Sequence, residues 1–366
     1  MRISIIGGGI AGCATAYYLT GDGHDVTLFE RDSVASHASG FALGGITPSI
    51  SVTPSDPYEI LSGVSIGLHR ELAERLTDKQ GTNLNFRRKP SLMLVKTPVE
   101  EANMCRAYST YADNSSVDVR WLSIGELRHI DARISQQMLG GLYVGEAFEV
   151  DPYKLTLALW QAAEKRGAQL INREVTAITE QSNRVIGVTT KEGFIPADAV
   201  VAAAGPWNYA LLSDIGVHVP LAPLKGQILR LDAPEPPLRV SLWWDSNYAT
   251  TKTDGLTWVG TTEEEVGYDD RTTDTARDVI ISSAIELLPY LEEAELVQQT
   301  ACLRPMTPDR APIIDAVPGP EGLVIATGGG RNGILLGPAM GLAASALATG
   351  LDSSVDVSAF SLGRFS

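Results

Sequence analysis

The sequence predicts an α/β protein in which a nucleotide-binding domain is built from separated parts of the chain and carries an inserted, mostly antiparallel sheet. Three observations predict it. A glycine-rich turn stands between an opening apolar strand and a helix of small residues. The segments 223–262 and 297–304 alternate apolar and polar residues, as half-buried strands do. A second buried strand, a glycine run and an Ala-rich helix return at the end of the chain.

The elements follow in order. Residues 2–6 form a short strand, Gly7 to Gly12 the turn, Ala11 to Leu19 a helix and residues 25–29 the next strand, closing a strand–helix–strand unit. Pro152 to Arg166 reads as an amphipathic helix, with Leu155, Leu159 and Ala162 or Ala163 on one face. Strands follow near 169–178 and 184–191, with a turn at Glu192-Gly193, and the apolar run Ala199 to Ala204 ends at Gly205. Leu323 to Ala326 is a last buried strand. Gly333 to Thr349, with Pro338 inside it, is a helix packed closely within the protein. This order assigns residues 1–80, 140–215 and 300–366 to the nucleotide-binding domain, and 81–139 and 216–299 to a substrate domain. No repeat or low-complexity linker separates them.

At 366 residues the chain suits two intertwined domains. Its formal net charge of −15 argues against nucleic acid or an anionic membrane as partner, because such binding needs clustered Lys and Arg. A local basic pocket remains compatible with that charge. Cys13, Cys105 and Cys302 are odd in number and far apart, which fits a reducing compartment with no disulfide framework and no zinc-ligand spacing. The first apolar run is too short for a signal-peptide core, and no run reaches the ~18 apolar residues of a spanning helix. A cytoplasmic enzyme is expected, and a homo-oligomer stays open.

Gly7, Gly9 and Gly12 fit G-x-G-x-x-G. Gly7 permits the tight turn, Gly9 lets a pyrophosphate approach the backbone, and Gly12 lets helix and strand pack closely. The helix N-terminus then offers free N–H groups to phosphate charge. Glu30 ends the second strand, where an acid can bond a ribose hydroxyl. Strand, turn, helix, strand and acid in order predict dinucleotide binding, without separating FAD from NAD.

Beyond this motif, ISIIGGGIAGCATAYYL followed by VTLFERD, then GAQLINREVTAI to VVAAAGPWN, PLKGQILRL and VGTTEEEVGYD, resemble the D-amino-acid oxidase superfamily of flavoproteins. LRPMTPDRAPIID and GGGRNGILLGPAMG narrow the resemblance to its glycine oxidases. It covers nearly the whole chain. It implies a Rossmann-like FAD-binding domain of the glutathione-reductase type with an inserted β-sheet domain, and FAD as cofactor. It also implies site residues. Ile10 and Ala11 would lie under the pyrophosphate, with Glu30 and Arg31 holding the adenosine half. Ala38, Ser39, Leu43, Gly44 and Gly45 would line the flavin and its phosphate, and Val175 would bond adenine through its backbone. Gly205 and Trp207 end the second signature. Gly329, Gly330, Arg331, Asn332, Gly333, Ile334 and Leu335 would wrap the flavin's pyrimidine edge, bringing a helix N-terminus to charge on the reduced ring.

The implied reaction moves a hydride, or its equivalent, from the α-carbon of an amino acid to the flavin, giving the imino acid. The flavin carries the difficult step, so the protein binds, orients and excludes water. Such a site needs an anchor for the substrate carboxylate. Arg304, in CLRP, is the first candidate, since a guanidinium can grip a carboxylate through two parallel bonds. By the resemblance, Arg331 is a second anchor and Tyr248 a hydroxyl donor. His37 falls in the expected flavin loop, where a packing role is the plainer reading. Cys302 stands where monomeric sarcosine oxidases carry the cysteine bonded covalently to FAD, and otherwise reads as a small buried hydrophobe. Lys225 and Glu263 fall near the active-site sheet without an assigned role. Gly329-Gly330 replaces the His-Phe or His-Tyr common in glycine oxidases and Asp315 a common glycine, so substrates larger than glycine enter consideration. Oxygen is the expected electron acceptor. The rival readings are an N-methyl amino acid oxidase, a dehydrogenase using a quinone or carrier, a tRNA-modifying flavoprotein and a nicotinamide-only dehydrogenase.

Overall fold

The computed structural model describes residues 1–48, 56–80, 83–109 and 118–365. The opening strand, Arg2–Ile6, lies inside a six-stranded sheet in the order Ile313–Ala316, Leu323–Thr327, Ala199–Ala202, Arg2–Ile6, Asp25–Phe29, Gln169–Ile171. Its pairings are parallel except the first, Ile313–Ala316 with Leu323–Thr327. Ile3, Ile5, Val200, Val201 and Ile325 are buried, as strands covered on both faces require. Asp25–Phe29 pairs on one side of the first strand and Ala199–Ala202 on the other. The strand order thus reverses direction where the glycine turn lies, which is where open α/β sheets bind ligands.

Two helices cover one face at close range. Ile10–Gly21 packs against Gly333–Ala348, the element whose apolar run resembles a membrane segment most. A Cβ on Gly337 would overlap Ile10, and one on Gly341 would overlap Ala14. Glycine therefore sets the spacing of this helix pair. Pro338 lacks the N–H that would bond Ile334. The orphaned Ile334 carbonyl instead accepts from His69 Nε2 at 2.9 Å. His69 stands on Pro57–Gln80, a long helix absent from the sequence reading. Among the described residues, no helix is long and apolar enough to cross a membrane.

The second large sheet has eight strands, in the order Glu295–Met306, Ala222–Asp232, Thr257–Gly260, Asn247–Thr251, Ser241–Trp244, Ser91–Val95, Gly140–Val144, Val119–Ser123. Its pairings are antiparallel except Ser241–Trp244 with Ser91–Val95. The α/β layout with an inserted, mostly antiparallel sheet is thus the one expected. Two boundaries shift. Gly140–Val144 pairs in the large sheet rather than with the nucleotide-binding parts, and Glu295–Met306 runs unbroken through residue 300. Neither exchange is marked in the sequence. Gly140-Gly141 reads as a loop, yet a Cβ on Gly141 would meet the Met93 carbonyl at 2.9 Å, so glycine here permits close strand pairing. The boundary placed at residue 81 falls outside the described residues.

The strand expected over 169–178 is two strands. Gln169–Ile171 ends the parallel sheet, and Val175–Gln181 opens a separate antiparallel sheet with Arg184–Thr190 and Gly193–Pro196. Asn172 donates to the Glu30 carbonyl between them at 3.0 Å, holding the break against the second strand's end. A second small sheet, Gly45–Ile46, Phe148–Glu149, Arg87–Arg88, ties the loop after residue 38 to the inserted half.

Candidate active site

A cavity of about 510 Å³ runs from the glycine turn to the large sheet. Every residue named above for cofactor or substrate lines it except Gly12. Gly12 lies just behind, and a Cβ there would overlap the Gly7 carbonyl. Gly7 has φ +107°, and its Cβ would press on the Ala203 backbone at 2.5 Å. Gly9 differs from both. Its φ is −79°, and a Cβ would meet only Ser39 Oγ, at 3.2 Å. Gly7 and Gly12 thus serve the fold, and Gly9 keeps space open in the cavity.

The nucleotide end is made mostly of backbone. Helix Ile10–Gly21 opens on the cavity with no capping side chain of its own, and Ser39 Oγ accepts the Ile10 N–H at 2.9 Å. Glu30, buried, accepts from Gly8 N–H at 2.7 Å and Asp32 N–H at 2.9 Å. Those bonds orient the carboxylate at the end of the second strand. Arg31 lies over the Trp207 ring at 4.2 Å, and His37 packs on the same ring while its Nε2 meets Asp32 at 2.7 Å. His37 is thus occupied by packing and a hydrogen bond. At the far side Gly330–Asn332 and the N-terminus of Gly333–Ala348 face the cavity, again with no side-chain cap. Two helix ends facing one cavity, one met by the Ser39 hydroxyl and the other without a side-chain cap, suit an anionic dinucleotide with a redox ring. The residues fit FAD.

The other end is made of side chains from the large sheet. Cys302, Arg304 and Met306 alternate along Glu295–Met306 and share one face. Gly226 lies opposite Cys302 in register, diagonal to Arg304, and its absent side chain leaves the space the Arg304 guanidinium fills. Arg304, 9% exposed, donates from Nη1 to the Thr262 carbonyl at 3.0 Å and from Nη2 to Thr261 Oγ1 at 2.7 Å. Thr261 Oγ1 donates onward to the Gln227 carbonyl at 2.9 Å. Among the described residues Arg304 has no acidic partner within ion-pair distance. A cation buried this way, bonded only to neutral groups, calls for an anion.

Arg331 is placed differently. It bonds Glu263 at 3.1 Å and the Ser246 carbonyl at 2.7 Å, and Glu263 also holds Arg310 at 2.8 Å. The Arg310 bond, with Arg331 in support, draws the Glu263 carboxyl below its usual range. Arg331 reaches the cavity as half of an ion pair rather than as a free anchor. Sequence reasoning left Glu263 without a role because its partner lies far along the chain. Lys225, fully buried, pairs with Glu264 at 3.2 Å and does not line the cavity. Among the described residues Tyr248 Oη is buried without a hydrogen-bond partner, as is Trp243 Nε1 beside it, the rings 5.3 Å apart. Burial pushes the Tyr248 hydroxyl up, so it stays a neutral donor. Burial also raises the Cys302 thiol, against the pull of Arg304.

The sequence profile of the family described as FAD dependent oxidoreductase matches residues 2–347. A glycine oxidase of Geobacillus kaustophilus is 30% identical over 365 residues, covering 99% of this chain and 96% of that one. The crystal structure of glycine oxidase from that organism superposes with a TM-score of 0.94 and covers 99% of both chains. Iminodiacetate oxidase from Chelativorans sp. BNC1 is 25% identical with a TM-score of 0.89, covering 98% of each chain.

Proposed function

The chain belongs to this family of FAD-dependent oxidoreductases, and from that premise we propose that it oxidises the amine of a small amino acid to the imino acid and passes the electrons to oxygen, giving hydrogen peroxide. The observation that carries this reading is Arg304, a buried cation without an acidic partner among the described residues, in the same cavity as the glycine turn.

Bound FAD supplies the two-electron acceptor. The chain supplies the rest. Gly9, Ile10 and Ala11 would give the pyrophosphate an open approach and a helix N-terminus, while Glu30 would hold the ribose. Arg304 holds the substrate carboxylate through a planar fork whose direction Thr261 and Thr262 fix. Tyr248 Oη offers a further hydrogen bond to that carboxylate. Arg331, held by Glu263, closes the mouth beside the Ser246 turn and keeps its charge near the site. Apolar walls from Ile228, Trp243 and Leu303 keep water away from the reacting carbon. No histidine is needed if the amine reaches the site neutral.

A secondary amine is the second reading. Gly329 and Gly330 place no side chain in the cavity wall beside Met306, which leaves room for an N-substituent. The test is anaerobic addition of glycine, sarcosine, D-alanine and D-proline to the purified yellow protein, followed by peroxide measurement in air. One of them should bleach the flavin and yield peroxide. Bound flavin that none of them reduces would overturn the proposal. Acid precipitation of the same preparation reports on Cys302: flavin left in the supernatant means no covalent link.

A further inference from the structure

A second cavity, of about 460 Å³, opens on the other side of the loop that follows residue 38. Arg87, Arg88, Lys89, Arg239 and Lys252 line it, and no acidic residue does, in a chain of net charge −15. Such a concentration of one sign is costly unless something offsets it. The offsets within the protein are partial. Glu149, beneath the floor, meets Arg87 at 2.6 Å and Lys252 at 3.5 Å. Arg88 turns away to Asp118 and Glu146. Among the described residues Lys89 Nζ has only the carbonyls of Leu238 and Thr251 as hydrogen-bond partners, at 2.5 and 3.0 Å. Burial pulls Lys89 down to about 8, which Glu149 opposes and Arg87 and Lys252 reinforce. The Arg239 side chain is exposed and has no hydrogen bond or ion pair among the described residues. Arg87 keeps one Nη without a partner there as well.

We propose that this pocket binds a small phosphate-bearing anion between Arg87, Lys89 and Arg239, and that its occupancy is felt at the flavin loop. Donors from two separate chain segments surround the opening, an arrangement suited to a tetrahedral oxyanion that accepts on several sides. The coupling has two routes. Lys252 Nζ donates to the carbonyls of Leu43, at 3.0 Å, and Val150, at 3.2 Å, so one side of the pocket holds the loop that lines the first cavity. Glu149 is in register with both Arg87 and Gly45, so the pocket floor and the flavin loop share a strand. An anion drawing on Arg87 changes what Glu149 and Lys252 face, and thereby how Leu43 to Gly45 are held. The proposal goes beyond the choice of amine substrate and does not depend on it.

The test uses the flavin-loaded protein, so that the first cavity is filled. Calorimetric titration with pyrophosphate, against sodium chloride at matched ionic strength, should show saturable binding that weakens at high salt. The flavin absorbance should shift as the site fills. Arg239→Ala should weaken pyrophosphate about tenfold or more, as loss of a charge-assisted contact does, and leave kcat/KM for the amino acid unchanged. Arg239→Lys should recover part of the loss. Heat no greater than with chloride, or equal affinity in Arg239→Ala, would overturn the site. Tighter binding of citrate than of pyrophosphate would overturn the phosphate assignment, and binding without any flavin shift would overturn the coupling.

Discussion

The two ends of the main cavity are built on opposite plans. At the nucleotide end, specificity lies in what is missing: side chains at Gly7, Gly9 and Gly12, and a side-chain cap on Gly333–Ala348. At the substrate end it lies in what is present, a buried guanidinium held by two threonines just past the strand Thr257–Gly260. A backbone cradle tolerates no added atoms but needs little support. A buried cation needs an entire shell to aim it. Substitutions at the first end should therefore act by filling space, and those at the second by misdirecting charge.

The largest effect expected is from Gly9→Val. Its backbone is not strained and its nearest neighbour is one serine oxygen, so the protein should fold yet purify colourless. Normal far-ultraviolet circular dichroism with no flavin is the expected pair of results. Full flavin retention would erase the distinction between Gly9 and its two neighbouring glycines.

Arg304→Ala comes next. Removing one partner of a buried pair typically costs about 3–5 kcal/mol, or roughly a hundred- to several-thousand-fold in kcat/KM. Arg304→Lys should recover only part, since the charge returns without the fork. Flavin should remain bound in both. Near-normal steady-state kinetics in Arg304→Ala would mean that the anchor lies elsewhere.

Gly226→Ala probes the supporting shell. Its methyl would occupy the space of the Arg304 guanidinium, and a displacement of ~1 Å can lower the rate by about a hundredfold. The loss should appear in kcat/KM for amino acids, with flavin affinity unaltered. A variant as active as the parent would show that the guanidinium has room to spare.

The smallest effect belongs to His69, which serves the nucleotide end from behind. Burial lowers its pKa to about 4 from 6.5, although its bonds to Ile334 and Leu335 raise it. The unfolded chain thus takes up a proton before the folded one does. Stability is full above pH 6.5, falls as pH drops towards 4, and loses roughly 3 kcal/mol over that window. His69→Gln keeps an N–H donor without the titration. Urea midpoints at pH 7 and pH 5 should differ less in the variant, and an unchanged difference would remove His69 as the cause.

The same contrast governs what could be read in advance. Gly7, Gly9, Gly12 and Glu30 follow from local backbone geometry, so their spacing along the chain carries the information. Arg304 could be nominated from its motif, but the residues that aim it could not. Gly226 faces it only through the register of two long strands, and Thr261 and Thr262 arrive from a third segment. The resemblance makes Arg331 a second anchor, but its pairing with Glu263 depends on the folded sheet and has no mark in the sequence. The helix Pro57–Gln80 escaped notice because its apolar residues form no single clean stripe. His69 could be singled out only after Pro338 was seen to leave a carbonyl open.

The glycine-spaced contact between Ile10–Gly21 and Gly333–Ala348 bears on how the protein is made. Residues 22–332 lie between these two helices along the chain, so one is made well before the other. At about 5–20 residues per second, tens of seconds separate them. Throughout that interval Ile10 and Ala14 lack their cover, and the first strand waits for Ala199–Ala202. The cofactor's two halves have no common grip until the final helix docks. Newly made chains should thus depend on chaperones until Gly333–Ala348 has emerged, and FAD should be acquired only after that helix docks.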